Sequence, residues 1–165
     1  MSWMLDKEVR RELPQEWKGI VPTEVFIQEA ETIVAEAEKK GIILRVMGGL
    51  GVAMHCQEFR DFAMKLGRIG TGVVKGQEYS DIDFISYRNH RDRIKDFFGE
   101  VGYAKRRATL SSAASERQIY YHPKGWFYVD VFYDKLIVAN HPVDFKERLE
   151  LDHPTIPVTD MLLEK

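Results

Sequence analysis

Apolar side chains at Val25, Phe26, Ala30, Ile33, Val34 and Ala37 recur at the spacing of one helix face, so a helix is predicted from Thr23 to just before Gly41. Thr23 is suited to cap it, Glu24 and Glu29 lie early, Lys39 and Lys40 lie late, and Gly41 supplies the stop. Residues 42–47, IILRVM, form a short apolar run that reads as a buried or half-buried strand. Gly48, Gly49 and Gly51 follow directly, and 52–56 reads as the beginning of a second helix. A polar run then leads into a glycine-rich loop over 67–79 with a brief strand inside it. The stretch 79–87, YSDIDFISY, reads as a strand, and Ile94, Phe97 and Phe98 mark a helix over 89–99. After a basic stretch at Lys105, Arg106 and Arg107 and a small-residue turn at 111–115, strands at 117–122 and 126–132 flank Pro123-Lys124-Gly125. That pattern predicts a hairpin.

The ends are less regular. Residues 1–22 carry Trp3, Pro14 and Trp17 and are expected to form an arm or short helix that packs through its aromatics. Residues 23–140 form the main domain, and 141–165 a proline-containing tail leading into a C-terminal helix that begins near Thr159. A chain of 165 residues suits one domain with a real hydrophobic core. Its formal net charge of -2 gives no general argument for a nucleic-acid surface. The single cysteine, Cys56, excludes an internal disulfide and a thiolate-rich metal cluster and reads as core. No apolar run has membrane-spanning length and the N-terminus lacks a signal-peptide apolar region, so a cytoplasmic location without membrane contact is the expectation.

The chemistry concentrates at Asp81 and Asp83. In a strand, residues i and i+2 share a face, which points both carboxylates the same way. Like charges that close raise one another's pKa, and the common remedy is a hard divalent cation held by oxygen ligands. Asp130 lies between Val129 and Val131 in an aromatic strand, where a carboxylate is costly unless paired or metal-bound. It is the natural third ligand. Strand, glycines and helix at 42–56 read either as an anion cradle or as a plain tight turn. The spacing fits neither the dinucleotide fingerprint nor the P-loop. Arg68 and Lys75 are either polyphosphate contacts or solvated cations. The remaining histidines, His90, His122, His141 and His153, read as loop residues.

The set Gly48-Gly49, Ser80-Asp81-Ile82-Asp83 and a strand Asp130 resembles the nucleotidyltransferase superfamily of the DNA polymerase β type. It is similar to small bacterial members related to toxin-antitoxin and abortive-infection nucleotidyltransferases and to antibiotic-modifying ones. The resemblance covers roughly residues 23–135 and the entry to the last helix. It implies an α+β fold with a mixed β-sheet and helices packed on one face. It implies a Mg²⁺ (or Mn²⁺) site on Asp81, Asp83 and Asp130, which are also the catalytic residues. Gly48 and Gly49 would cradle the triphosphate of an NTP such as ATP, with Ser80 and Lys75 on the nucleotide side. The implied reaction moves an NMP group to a hydroxyl acceptor, on a small molecule, a protein or an RNA end. A homodimer or partner chain is expected to complete the acceptor side, because the chain lacks a large accessory domain.

Two departures stand out. Many members carry serine where this chain has Gly49, and the interval from Gly49 to Asp81 is long, which suggests an insertion around 57–79. A chain with 26 acidic residues also contains Asp-x-Asp by chance. The competing readings are an inactive nucleotide-binding domain of the same fold, or an interaction module built on exposed Tyr120, Tyr121, Trp126 and Tyr128.

Overall fold

A computed structural model describes residues 12–67, 69, 74–107, 117–137 and 141–164. The chain runs α1 (Thr23–Lys39), β1 (Leu44–Met47), α2 (Gly48–His55), α3 (Arg60–Lys65), β2 (Asp81–Ser86) and α4 (Arg91–Glu100). It continues through β3 (Ala104–Lys105), β4 (Gln118–Tyr121), β5 (Tyr128–Tyr133), β6 (Lys135–Ile137), β7 (Pro142–Asp144) and α5 (Val158–Glu164). The expected arm residue Trp3, Arg68, part of the 67–79 loop and the 111–115 turn lie outside the described residues.

Five strands form one sheet in the order β1-β2-β5-β4-β3, and β6 and β7 form a separate pair. β2 and β5 run parallel, whereas the β1–β2, β4–β5 and β3–β4 pairs are antiparallel. The fold is therefore α+β with a mixed sheet. Alternation along each strand sorts its two faces. Ile82, Phe84, Val129, Val131 and Tyr133 join Phe26, Ile33 and Val34 of α1 and Ile94, Phe97 and Phe98 of α4 in the main core. Met47, Ile85 and Phe132 pack on the other side with Val143, Phe145, Leu149, Ile156 and Met161 of α5. The longest helices thus share one face, as expected, and the tail with α5 covers part of the other.

α1 follows its apolar period closely, burying Phe26, Ala30, Ile33, Val34 and Ala37. Its end is a Schellman turn: Gly41 takes φ +66°, its N–H donates to the Glu38 carbonyl, and the Ile42 N–H donates to the Ala37 carbonyl. The start differs from the capping expectation. Thr23 is the first helical residue, buried, and Pro22 holds the cap position with no side-chain hydrogen bond. The tail completes the sheet edge. The Val46 N–H donates to the Pro154 carbonyl at 3.0 Å and the Ile156 N–H to the Val46 carbonyl at 3.0 Å, which pairs the outer side of β1. Trp17 meets Trp126 edge-on at 4.6 Å, and the Trp126 indole donates to the Glu12 carbonyl.

Two sequence expectations are corrected by packing. Tyr120 and Tyr121 are buried and Trp126 and Tyr128 half-buried, because β4 and β5 lie inside the sheet, so the exposed aromatic surface does not exist. Cys56 sits half-buried at the end of α2 instead of in the core. His122 lies in the connection between β4 and β5, as expected, but is buried there: it stacks on Trp126 at 4.5 Å and meets Tyr103 edge-on. Among the described residues, no helix is long and apolar enough to cross a membrane.

Burial, assisted by Lys124, lowers the His122 pKa to about 4. The unfolded chain binds this proton more readily, at about pH 6.5. Stability contributed by neutral His122 is therefore complete above that pH and is lost as pH falls towards 4. Denaturant titrations at pH 7.5 and 4.5 should differ by about 1–2 kcal/mol through this group once solvent screening is allowed for. The difference should shrink in His122→Gln.

Candidate active site

β2 and β5 place the three aspartates. Their parallel register pairs Asp83 with Asp130 and Asp81 with Tyr128, so all these side chains leave the sheet on the face opposite α1 and α4. The inward partners Ile82, Phe84, Val129 and Val131 are fully buried, and a one-residue slip would drive the carboxylates into that core. Asp81 and Asp83 are half-buried, while Asp130 is only 3 % exposed.

Each carboxylate has a distinct setting. The Ser80 hydroxyl donates to Asp81 Oδ1 at 2.7 Å, and the Tyr128 hydroxyl is also bonded to Asp81. Burial first, then the Asp81 charge, raises the Tyr128 pKa, so it acts as a neutral donor. Asp83 lies beside the glycine turn, because Met47 is its cross-strand partner and Gly48 follows at once. Asp130 Oδ2 accepts from Arg117 Nη1 at 2.8 Å, whereas Asp130 Oδ1 is buried with no hydrogen-bond partner among the described residues. Burial pushes the Asp130 pKa up to about 6, against the pull of Arg117 and with the help of the Asp81 charge.

That setting predicts a trade between stability and function. The ionised carboxylate costs stability, and the cost sets in as pH rises from the ordinary carboxyl range through about 6. Asp130→Asn keeps the shape and removes the charge. At pH 8 it should stabilise the protein by about 1 kcal/mol, raising Tm by about 2–4 °C. At pH 4.5 the gain should vanish. A Tm difference independent of pH would refute the assignment.

The glycines divide by role. Gly48 takes φ +70°, and a Cβ there would lie 2.6 Å from Asp83 Oδ2. Only glycine fits. A Cβ on Gly49 would meet only the Tyr79 ring, at an ordinary 3.5 Å. α2 begins at Gly48, about a turn earlier than the pattern indicated, because the glycines themselves form its first turn. The Gly48 N–H is not idle: it donates to Glu164 Oε2 at 3.0 Å. Lys75, expected on the nucleotide side, is exposed in the turn before Gln77, and among the described residues no hydrogen bond or ion pair links it to the aspartates.

The sequence reading missed Arg117, Tyr128 and Glu164. Counting the hairpin register would have found the first two, since Ile119 faces Asp130 and Tyr121 faces Tyr128. Arg117, two residues before Ile119, falls on the Asp130 face, and its guanidinium lies 5.7 Å from the Phe132 ring centre. No local signal points to Glu164. Among the described residues, no group of three or more His, Cys, Asp or Glu side chains is gathered closely enough to hold an ion as it stands. The donor set nonetheless suits a hard cation: every candidate atom is a carboxylate oxygen, and the buried, unpartnered Asp130 Oδ1 is an acceptor awaiting a positive partner.

No family model matches this chain, and no curated protein matches it either. The solved structures that resemble it are nucleotidyltransferases. The lincosamide antibiotic adenylyltransferase LnuA, in its lincomycin-bound crystal structure, is 16% identical over 87% of this chain and 85% of its own, with a TM-score of 0.49. A Thermotoga maritima protein described as a nucleotidyltransferase is 15% identical over 88% of this chain and 85% of its own, also at 0.49. The antibiotic-resistance factor ANT(2'')-Ia is 14% identical over 85% of this chain and 80% of its own, at 0.42. These values describe a distant likeness, and the chemistry below rests on the carboxylates and the glycine turn.

Proposed function

We propose that this chain is a metal-dependent nucleotidyltransferase that moves a nucleoside monophosphate from an NTP to a hydroxyl acceptor and releases pyrophosphate. The observation that carries this reading is the in-register pair Asp83 and Asp130, with Asp130 Oδ1 buried and unpartnered. Asp81, Asp83 and Asp130 would hold Mg²⁺ or Mn²⁺. Bound there, the cation would lower the acceptor hydroxyl pKa and neutralise charge growing on the departing pyrophosphate.

The chain's own groups supply alignment. Gly48 presents a backbone N–H at the first turn of α2, a position suited to a phosphate oxygen. Ser80 and Tyr128 hold Asp81 in one orientation, and Arg117 holds Asp130. In the transfer, the acceptor oxygen bonds to the α-phosphorus while the bond from that phosphorus to the bridging oxygen breaks. The hydroxyl proton leaves towards Asp130, the most buried carboxylate of the set. The acceptor is a hydroxyl of a small molecule, a protein or an RNA end, and a second copy or partner chain completes its side of the site.

Calorimetric titration with each NTP, with and without Mg²⁺ or Mn²⁺, tests the reading. Metal-dependent binding is expected for at least one NTP, followed by pyrophosphate release once an acceptor is supplied. Metal-independent binding, or none, would overturn it.

A further inference from the structure

α2 and α5 pack against one another with matched spacing. Met161 Cε would lie 3.3 Å from a Cβ on Gly51, and three residues along each helix Glu164 bonds the Gly48 N–H. Side chains three apart share a helix face, so this pairing aligns the helices in opposite directions and carries Glu164 to the start of α2. The alignment is anchored elsewhere: Asp160, buried, accepts two hydrogen bonds from Arg148 at 3.0 and 2.7 Å, and Met161 is buried in the second core. His141 Nε2 also lies 2.8 Å from the Leu163 carbonyl, while the Leu162 and Leu163 side chains are exposed.

Glu164 is poorly placed for its own helix. An acidic side chain in the last turn opposes the helix dipole. It also approaches Gly48 from one side while Asp83 crowds the same glycine from another. Two carboxylates around one glycine repel. The Gly48 N–H, at the N-terminal end of α2, favours an anion and acts against both effects.

We infer that Glu164 is the resident anion of the phosphate cradle, an internal competitor that every phosphate ligand must displace from the Gly48 N–H. This rests on the proposed nucleotide site and adds to it a movable occupant. When a triphosphate binds, Glu164 leaves Gly48, and α5 stays docked through Asp160 and Met161. When pyrophosphate departs, Glu164 returns to the same donor.

The test is calorimetry on the full chain carrying Glu164→Ala or Glu164→Gln, with three probes: inorganic tripolyphosphate with Mg²⁺, ATP with Mg²⁺, and Mn²⁺ alone. Glu164→Ala should tighten tripolyphosphate and ATP binding about tenfold, the factor expected from removing one charge-assisted competitor. Glu164→Gln, which keeps a neutral acceptor, should gain less, and Mn²⁺ affinity should not change. Phosphate affinity equal to wild type in Glu164→Ala would overturn the inference and leave the nucleotide site standing. Weaker Mn²⁺ and ATP binding in Glu164→Ala would also overturn it, by making Glu164 a metal ligand. Absence of phosphate binding in wild type and both variants would overturn the proposed function and this inference together.

Discussion

Asp83→Asn should lower nucleotidyl transfer by about a thousandfold or more, equivalent to at least about 4 kcal/mol of transition-state stabilisation. The substitution keeps the size of the side chain and removes its charge. Asp83 stands at the centre of the constellation: it is the register partner of Asp130, shares a face with Asp81 and abuts Gly48. A neutral amide there would weaken the hold on the divalent cation that Asp81, Asp83 and Asp130 are proposed to bind. The fold should survive, because Asp83 is half-buried and lies outside both apolar cores. Three measurements on one preparation check this: pyrophosphate release, Mn²⁺ affinity and thermal unfolding. Tm should move by less than about 3 °C while turnover and Mn²⁺ binding collapse. Turnover within tenfold of wild type would remove Asp83 from the site.

The second large effect is expected from one methyl group. Gly48→Ala places a Cβ 2.6 Å from Asp83 Oδ2, far inside contact distance, and does so at φ +70°. The backbone conformation costs an L-residue about 1–2 kcal/mol, and crowding in a packed environment adds about 1–3 kcal/mol. A total near 2–5 kcal/mol corresponds to a Tm loss of about 4–20 °C for a chain of this size. Function should suffer beyond stability. Relief of the clash must move either Asp83 or the N–H that faces Glu164, and both belong to the proposed site. Gly49→Ala is the matched control. Its Cβ meets Tyr79 at ordinary distance and its φ lies outside the left-handed region, so Tm should stay within about 1–2 °C. Equal effects at the two glycines would refute the steric account.

The contrast between these glycines shows where sequence reading stops. Both were assigned to one cradle on the strength of position after a strand. Gly48 alone is obligatory, and the reason is Asp83, which lies far along the chain and reaches Gly48 through the β1–β2 pairing of Met47 with Asp83. Likewise the sequence leaves Lys75, in a glycine-rich loop near the aspartates, open between a phosphate contact and a solvated cation. Its turn leaves it exposed, and the cation bonded to Asp130 is Arg117 from the start of the β4–β5 hairpin.

What the sequence determined by itself is local and periodic. The apolar spacing set α1 and the core face of α4, Gly41 set where α1 ends, and strand parity put Asp81 and Asp83 on one face. The apolar flanks of Asp130 marked it as a carboxylate needing a positive partner. These follow from geometry that repeats every two or 3.6 residues, and a window of a dozen residues contains it. Only the tertiary structure decided that β2 and β5 are parallel neighbours in the register that opposes Asp83 to Asp130. It alone buried Asp130 Oδ1, set Arg117 on Oδ2 and brought Glu164 to Gly48 across a separation of 116 residues. Register and helix docking are chosen by packing of the whole core, in which each strand's alternatives are excluded by the side chains of elements distant in sequence.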